Sequence, residues 1–368
     1  MIHIIIGTKA QLIKMAPVMA ELSRRGVPYR YISTGQHKDT VADLLLNFNV
    51  KDPDVFLYDG KDIVSVRSMF FWLCRILSRA LFNKRYIFGE QVSNDDIVLI
   101  HGDTLSTLAG ALMARMAGLK VGHVESGLRS YRFFHPFPEE LTRVLTFKLS
   151  NYLFCPDDIA VKNLGKISGV KVNTGGNTLY DAVHAVRPSV GSPLSLPVRN
   201  FAIVTLHRYE NFKDRQCVLR ILNIVEMASK HQRLVFVMHK TTVRALKKYG
   251  FYERVKNNDR IKTVPRMDYF SFIALIKKSK FVISDGGSNQ EECFYLGKPI
   301  LLLRDASERQ EGLGENCVLS HYSIATASEF VENYQSYERV GHAILTRPSK
   351  TIVDFLLSLD NEKKNIRG

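Results

Sequence analysis

The sequence predicts an α/β protein made of two doubly wound domains, each with a parallel sheet between helices. Short apolar runs alternate with segments of helical periodicity in both halves of the chain, the pattern of repeated β-α units. The runs are IHIII, YRYIS, IVLIHG, KVGHV and YLFCP, then FAIVTL, LVFVMH, FVISDG and PILLLR. Two such series predict two sheets, and 368 residues are enough for about two domains.

The boundary between the domains is predicted near residue 174. Two glycines in VNTGGNT interrupt the pattern before a new helix, and GSPLSLPVRN then leads into a fresh strand. We therefore expect an N-terminal domain over 1–173 and a C-terminal domain over 174–349. The last segment, 350–368, carries apolar residues at helical spacing, which predicts a terminal helix that packs back on the N-terminal domain.

Composition narrows the class of ligand. The chain has 51 Lys and Arg against 36 Asp and Glu, a net charge of +15, which favours nucleotide sugars, anionic lipids or nucleic acid. The five cysteines are scattered and lack zinc-site spacing, which predicts free thiols in the cytoplasm and no metal. MIHIIIGTKAQLIK does not have the form of a signal peptide, and no apolar stretch of about 18 residues predicts a transmembrane helix.

Residues 68–88, SMFFWLCRILSRALFNKRYIF, depart from the α/β pattern. The segment holds the only tryptophan, and its aromatic and aliphatic residues are set among four basic ones, Arg75, Arg79, Lys84 and Arg85. A helix of this kind could lie on a membrane surface. Ordinary amphipathic helices share the pattern, so a helix packed on the core with a basic outer face is the favoured expectation.

Three carboxylates follow predicted strands or open a predicted helix: Asp103 in HGDT, Glu125 in HVESGLRS and Glu139 in PEELTR. The strand ends that feed helices in a parallel sheet open at one edge, so these acids can converge there. Asp103 ends a strongly apolar strand, where a carboxylate is costly unless it is paired or used. The three acids predict an acid/base site.

Each acid also has a structural alternative. Asp103 could cap the next helix, a role that Thr104 could fill equally well. Glu125 could form an ion pair with Arg129, and Glu139 could pair with Arg143 one helical turn later.

Two strand-to-helix turns could bind phosphate. GTKAQLIK follows the first strand, and its free backbone N–H groups, aided by Lys9 and Lys14, would suit an anion. In SDGGSNQEE the glycines let a diphosphate approach a helix N-terminus, and Glu291 or Glu292 could accept both hydroxyls of a ribose. The alternatives are an ordinary glycine turn and glutamates that complement the helix dipole.

His207 ends the strand FAIVTLH, where we expect it to face a cleft between the domains. A lone histidine is more often structural, yet one near a phosphate site can stabilise a leaving diphosphate or transfer a proton.

These motifs together resemble the non-hydrolysing UDP-N-acetylglucosamine 2-epimerase family, whose two Rossmann-like domains face a central cleft in the fold called GT-B. The resemblance spans nearly the whole chain and rests on GTKAQLIK, TGQH, HGDT, HVESGLRS, PEELTR, GGNT, TLHRYEN, SDGGSNQEE, LGKP and RDASER. It implies interconversion of UDP-GlcNAc and UDP-ManNAc for surface polysaccharide. UDP is eliminated anti to the C2 proton, and the resulting 2-acetamidoglucal is re-protonated on the opposite face before UDP re-adds. A homodimer without metal or cofactor is implied.

By motif position, the resemblance also implies roles for residues. The implied catalytic groups are Asp103, Glu125, Glu139 and His207. The implied substrate-binding groups are Lys9, Lys14, Arg143, Gly287, Ser288 and Glu292. In bacterial members the TGQH segment lines a second, regulatory substrate site, which implies that role for Gln36 and His37.

The chain departs from the family pattern in ways that leave the sugar open. The usual GTRPEAIK reads GTKAQLIK, so Lys9 replaces an arginine and loses its planar fork. The usual DSGG reads DGGS, which moves the serine from Gly286 to Ser288. The segments KAQLIK, STLAGAL, GLRS, LFCP and TLHR look like relatives acting on UDP-2,3-diacetamido-glucuronic acid, an acidic substrate that a basic protein would suit.

Other functions stay open. The net charge and residues 68–88 suggest a GT-B glycosyltransferase at the inner face of the membrane, although inverting glycosyl transfer needs one base rather than three acids. A hydrolysing epimerase that releases UDP and free ManNAc, and a binding module without activity, are further alternatives.

Overall fold

The structure, a computed structural model, describes residues 1–36, 41–60, 63, 66–131, 138–186, 200–307 and 309–367 and, of 66–67 and 360–367, the backbone alone. The chain forms two compact units. The first comprises Met1–Ala185 and Ile344–Gly368, and the second Val186–Ala343.

The first unit is built on a seven-stranded parallel sheet in the order β3-β2-β1-β4-β5-β6-β7. The strands are β1 (Ile2–Ile6), β2 (Tyr29–Ser33), β3 (Val55–Phe56), β4 (Ile97–His101), β5 (Lys120–Val124), β6 (Tyr152–Cys155) and β7 (Val170–Asn173). The helices between them are α1 (Lys9–Arg24), α2 (Val41–Phe48), α3 (Val66–Phe82), α4 (Lys84–Phe88), α5 (Leu105–Met116), α6 (Glu139–Leu149), α7 (Asp158–Asn163) and α8 (Leu179–Ala185). Every residue of β1 and β4 is buried, as expected of central strands covered on both faces.

The second unit is built on a six-stranded parallel sheet in the order β10-β9-β8-β11-β12-β13. The strands are β8 (Phe201–Leu206), β9 (Arg233–Met238), β10 (Ile261–Pro265), β11 (Val282–Ser284), β12 (Ile300–Leu302) and β13 (Cys317–Leu319). The helices are α9 (Arg215–His231), α10 (Lys240–Lys248), α11 (Tyr252–Lys256), α12 (Tyr269–Lys278), α13 (Gly287–Leu296) and α14 (Ile324–Glu332), with 3-10 turns at Tyr209–Phe212 and Tyr334–Tyr337. The predicted fold class, two parallel α/β sheets, is confirmed.

The last helix, α15 (Pro348–Arg367), returns to the first unit and packs on α1 and α8. Arg25 Nη1 lies 2.5 Å from Asp354 Oδ1, and the backbone N–H of Ser349 donates to Asp181 Oδ2 at 2.7 Å. Polar contacts therefore tie the last helix to α1 and α8 of the first unit.

Residues 68–88 form α3 and α4, whose inner face belongs to the core of the first unit. Trp72 is buried, and its Nε1 donates to the backbone oxygen of Thr34 at 3.0 Å. Two of the basic side chains donate to backbone carbonyls, Arg79 to Leu57 at 2.6 Å and Lys84 to Ala117. The expectation of a core-packed helix is confirmed for the inner face. Within the part of the chain that the structure covers, no helix is both long and apolar enough to span a bilayer.

Candidate active site

Both sheets reverse their strand order at a switch point, the place where doubly wound sheets bind ligands beyond the carboxyl ends of the strands. In the first sheet the reversal lies between β1 and β4, and Asp103 follows β4 by one glycine. Glu125 follows the neighbouring strand β5 in the left-handed region, with φ of 64°. A non-glycine residue held there costs about 1–2 kcal/mol, and such strain collects at functional sites.

The Glu125 carboxylate is held by side chains from three different elements. Lys14 Nζ on α1 and Asn177 Nδ2 each donate to Oε1 at 2.7 Å. His101 Nε2, at the end of β4, lies 3.1 Å from Oε2. The Lys14 and Glu125 side chains are only 6% and 8% exposed, so the pair is buried. Glu125 is thus paired with a lysine far away in the sequence and not with the expected Arg129.

Asp103 belongs to a second charged group. Arg143 Nη2 lies 2.5 Å from Asp103 Oδ2, and Arg143 Nη1 lies 3.3 Å from Glu140 Oε2. Glu140 is fully buried and also accepts from Arg129 Nε at 2.6 Å and from the Ser130 backbone N–H at 3.0 Å. Burial would raise the pKa of Glu140, but these donors lower it below its usual value. The sequence predicted Glu139 as a catalytic acid and predicted no role for its neighbour Glu140.

The N-cap alternative for Asp103 is wrong, because Thr104 caps α5. The Thr104 hydroxyl accepts from the Thr107 backbone N–H, and the Asp103 side chain remains 29% exposed. The backbone oxygen of Asp103 accepts from Thr142 Oγ1, which ties α6 to the loop after β4. Asp103 therefore keeps its carboxylate for Arg143 and solvent.

Glu139 is the first residue of α6, and its Oε2 is buried without a hydrogen-bond partner in the described structure. The pairing expected with Arg143 is replaced by the contacts of Arg143 with Asp103 and Glu140. A buried oxygen without a partner is unusual in a native structure and often has a functional reason.

His123 lies on β5 and was not predicted as part of the site. It is fully buried, and its Nε2 donates to the backbone oxygen of Gly102 at 2.7 Å. Burial lowers the pKa of His123 to about 4, which keeps the imidazole neutral at physiological pH. The loop that carries Asp103 is held to β5 through this bond. A Cβ placed at Gly102 would lie 3.7 Å from Glu125 Oε2, so the loops after β4 and β5 are adjacent.

The turn after β1 differs from the prediction. The backbone N–H groups of Gly7 and Thr8 donate to Gln11 Oε1 at 2.9 and 3.0 Å, and Thr8 Oγ1 accepts from the Gln11 backbone N–H in a capping box. The N–H groups of Gly7 and Thr8 are therefore satisfied by Gln11 and are not available to a phosphate. Lys9 opens α1, while Lys14 contacts Glu125.

Of the two residues with an implied regulatory role, Gln36 is buried and its Oε1 accepts from Ser106 Oγ at 2.5 Å. His37 lies outside the described residues. Gln36 is thereby connected to α5, the helix that follows Asp103 and Thr104.

In the second sheet the order reverses between β8 and β11, which His207 and Asp285 follow. Asp285 is fully buried and accepts from the backbone N–H groups of His207 at 3.0 Å and Arg208 at 3.0 Å, and from Asn211 Nδ2 at 2.9 Å. The His207 ring has its Nδ1 3.3 Å from Asp285 Oδ1, yet the side chain is 42% exposed. The sequence predicted no role for Asp285, and the structure shows that its carboxylate holds the loop that carries His207.

Helix α13 starts at Gly287 beyond an N-cap glycine, Gly286, that forms no side-chain cap. A Cβ at Gly286 would lie 2.8 Å from Asn289 Oδ1 and 2.9 Å from His207 Cε1, so a larger residue would require these two side chains to shift. Ser288 is exposed at the second position of the helix. Because no side chain caps this helix start, its backbone N–H groups and the positive end of the helix dipole can bind an anion.

The two glutamates considered for a ribose have different surroundings. Glu291 is fully buried and lies 2.6 Å from Arg309 Nη1. Glu292 is buried, and Asn289 Nδ2 donates to its Oε2 at 2.8 Å. Neither stands in the first turn of α13, so the dipole-complement alternative is wrong.

A family model and the sequences of known proteins both match this chain, and they carry the same family description. The family model described as UDP-N-acetylglucosamine 2-epimerase matches residues 20–340. A UDP-N-acetylglucosamine 2-epimerase of Methanococcus maripaludis is 33% identical over 329 residues, 86% of each chain. One of Bacillus subtilis is 33% identical over 316 residues, 84% of this chain and 80% of the relative.

Solved structures of the same family are also similar to this chain. The UDP-GlcNAc 2-epimerase of Neisseria meningitidis, bound to UDP-GlcNAc, matches with a TM-score of 0.80 and 29% identity, covering 97% of this chain and 99% of that one. The enzyme of Methanocaldococcus jannaschii, in complex with UDP-GlcNAc and UDP, matches with a TM-score of 0.78 and 26% identity over the same shares.

Proposed function

The chain belongs to the UDP-N-acetylglucosamine 2-epimerase family, and from that membership we propose that it interconverts UDP-N-acetylglucosamine and UDP-N-acetylmannosamine. The observation that carries the proposal is the pair of cation-bound carboxylates after adjacent strands, Glu125 with Lys14 and Asp103 with Arg143. Two carboxylates in separate ionic settings suit a reaction that removes a proton and returns one.

The chemistry explains why carboxylates and cations are both required. No carbonyl acidifies C2–H, so departure of UDP must supply much of the driving force. A carboxylate takes the C2 proton, the C–H electron pair becomes the C1=C2 bond, and the C1–O bond breaks with its electrons on UDP. A carboxylic acid then protonates C2 from the opposite face, and UDP re-adds at C1. We assign these proton transfers to Asp103, Glu125 and Glu139.

We assign UDP binding to the second unit. Support comes from the uncapped start of α13 at Gly287 and Ser288, and from His207, which is presented by Asp285. The helix dipole and N–H groups suit a diphosphate, and His207 suits its departure. Glu292 is proposed to accept hydrogen bonds from the ribose hydroxyls. Arg143, Lys9 and Lys14 are proposed to stabilise the negative charge that develops on UDP as it leaves. We therefore propose proton transfer in the first unit and UDP binding in the second, the roles predicted for the N-terminal and C-terminal domains.

The proposal is tested by incubating the protein with UDP-GlcNAc in deuterated water. Deuterium at C2 and formation of UDP-ManNAc are the expected results, whereas recovery of UDP-GlcNAc without deuterium would refute this substrate. UDP-2,3-diacetamido-glucuronic acid belongs in the same assay, because the net charge of +15 would suit an acidic sugar. Release of UDP and free ManNAc would instead indicate hydrolysis.

We further propose that the protein is a homodimer that pairs through the outer face of α3 and α4. That face carries large apolar side chains, each more than half exposed: Phe70, Phe71, Leu81, Phe82 and Tyr86. A contiguous exposed apolar patch marks an interaction surface. Small exposed residues, Cys74 and Ser78, lie between its two aromatic ends, so two antiparallel copies of α3 are complementary to each other.

An anionic membrane at the inner face is the competing occupant. It is less favoured because the Arg79 and Lys84 head groups donate to carbonyls of their own chain, which holds both cations against the protein and occupies donors that lipid headgroups would need. Sedimentation of the wild type at micromolar concentration should give a dimer, and F71S/F82S should give a monomer. A monomeric wild type that floats with anionic vesicles in a salt-sensitive manner would favour the membrane.

The free thiols support placing the protein in the cytoplasm.

Gln36 and His37 are proposed to belong to a regulatory site. The support is the hydrogen bond from Ser106 to Gln36, which connects this segment to the helix that follows Asp103.

A further inference from the structure

Asn177 lies between β7 and α8, next to Glu125, and none of the roles above involves it. Its side chain is buried and bonded at both ends. Oδ1 accepts from the backbone N–H of Leu179 at 3.0 Å, and Nδ2 donates to Glu125 Oε1 at 2.7 Å. A backbone N–H can only donate, so the first contact fixes the orientation of the amide and turns Nδ2 toward the carboxylate.

We propose that Asn177 is a positioning residue that makes Oε2 of Glu125 the oxygen that exchanges the proton. With Lys14 also at 2.7 Å, Oε1 accepts from two donors. A carboxylate oxygen has room for about two such donors, so Oε1 is saturated. Oε2 lies 3.1 Å from His101 Nε2, and it is the oxygen that we assign to proton exchange. The inference rests on the proposed epimerase function, because it assigns an atom of Glu125 to proton transfer.

The geometry explains why a second donor is needed beside Lys14. Glu125 stands in a strained backbone conformation, with φ of 64°, and its carboxylate must be held from outside its own loop. Lysine has a long flexible stem, whereas asparagine is short and here is anchored on a helix start. Donors from α1 and from the β7–α8 connection together fix both the position and the rotation of the carboxylate.

Two substitutions separate the positioning of Glu125 from the turn that Asn177 forms with Leu179. Asn, Asp and Ser side chains all accept from the backbone N–H two residues on, so N177D and N177S should both keep the contact with the Leu179 N–H. N177S removes the donor to Glu125, and N177D replaces it with a second carboxylate. We expect kcat to fall about 10- to 100-fold in N177S and further in N177D, with KM little changed. In N177D the acidic limb of the pH profile should move to higher pH, because two carboxylates then share one site.

Asn173 provides a matched control on the same connection. Its Oδ1 accepts from the Gly175 backbone N–H at 2.8 Å, and its Nδ2 donates to Asp158 Oδ1 at 2.7 Å. N173D therefore makes the same change against a carboxylate that has no part in the reaction, and its kcat and pH profile should match the wild type. Equal losses in N173D and N177D, or wild-type kinetics in N177S, would overturn the proposal.

The proposed function and the role of Asn177 can fail separately. Absence of C2 exchange in the wild type with every UDP-sugar tested would refute the function. In that event a crystal structure of N177S decides about Asn177. We expect the Glu125 carboxylate to rotate away from its bond with Lys14, and an unmoved carboxylate would overturn the positioning role.

Discussion

The two sheets reverse strand order at equivalent places, yet the turns at these switch points offer opposite chemistry. After β1, the side chain of Gln11 accepts from the backbone N–H groups of Gly7 and Thr8. At the start of α13, Gly286 provides no side-chain cap. Backbone binding of an anion is therefore prepared in the second unit and blocked at Gly7 and Thr8 in the first. The strand order determines where a ligand can bind, and the residue at the helix start determines whether backbone N–H groups are available to an anion there.

The carboxylates differ in the same way. Glu125 and Asp103 of the first unit are held by the side-chain cations of Lys14 and Arg143. Asp285 of the second unit is held mainly by backbone N–H groups and by Asn211. A carboxylate whose partners are loop amides serves to shape the loop, whereas one opposite a movable cation can exchange protons during a reaction. We therefore place proton transfer in the first unit.

The largest expected effect comes from neutralising the first-unit acids. Asp103→Asn and Glu125→Gln keep the shape of each side chain but remove proton transfer, so C2 exchange should fall by about a thousandfold or more. UDP binding, followed by calorimetry, should be largely kept, because the groups proposed to hold the diphosphate and the ribose lie in the second unit and because both substitutions retain Lys14 and Arg143.

Asp95→Asn is a suitable control, since Asp95, on the loop before β4, forms a partly exposed pair with Lys120. Glu125→Gln also leaves Lys14 buried opposite a neutral amide, so its thermal unfolding must be measured alongside. Undiminished exchange in Asp103→Asn would remove the proposed division between the units.

A smaller effect is expected from the buried imidazole behind Asp103. The pKa of His123 is about 4 in the folded protein, below the ordinary 6.5, so between these values only the unfolded chain binds the proton. The stability contributed by this difference is complete above pH 6.5 and is lost as the pH falls toward 4. At pH 5 the loss is about 2 kcal/mol.

His123→Gln keeps a donor for the Gly102 carbonyl but does not titrate. Urea unfolding at pH 7.5 and pH 5 should therefore show about 2 kcal/mol less destabilisation on acidification in the variant than in the wild type. Identical pH dependence of the two proteins would contradict a neutral buried His123.

Sequence periodicity was sufficient for the fold class, but it left Asp103 and Thr104 as equal candidates for the cap of α5, and the structure decides for Thr104. The partners of the acids were harder to predict. Glu125 has Arg129 nearby in the sequence, but its cation is Lys14, 111 residues away on α1. Sequence spacing describes neighbours on one helix, and contacts between α1 and β5 depend on how the sheet is assembled.

The same reason explains the residues that were missed. His123, Asp285 and Asn177 each act through a contact across strands or loops, to Gly102, to the His207 loop and to Glu125. The Gly7 turn was misjudged because a sequence does not show that Gln11 folds back over its own N–H groups. Residue type identified the acids, while their roles depended on partners that only the folded chain brings near.

The smallest expected effect tests the uncapped turn of the second unit. In Gly286→Ala the new methyl group would lie 2.8 Å from Asn289 Oδ1 and 2.9 Å from His207 Cε1, so both side chains must shift. We expect UDP affinity to fall about tenfold, or about 1.4 kcal/mol, as measured by calorimetry. Gly165→Ala in the first unit, where the nearest atom to the methyl would be 3.4 Å away, should leave UDP affinity unchanged. Equal affinity in Gly286→Ala and the wild type would mean that this turn does not hold the diphosphate, and the contrast between the two switch points would lose its functional meaning.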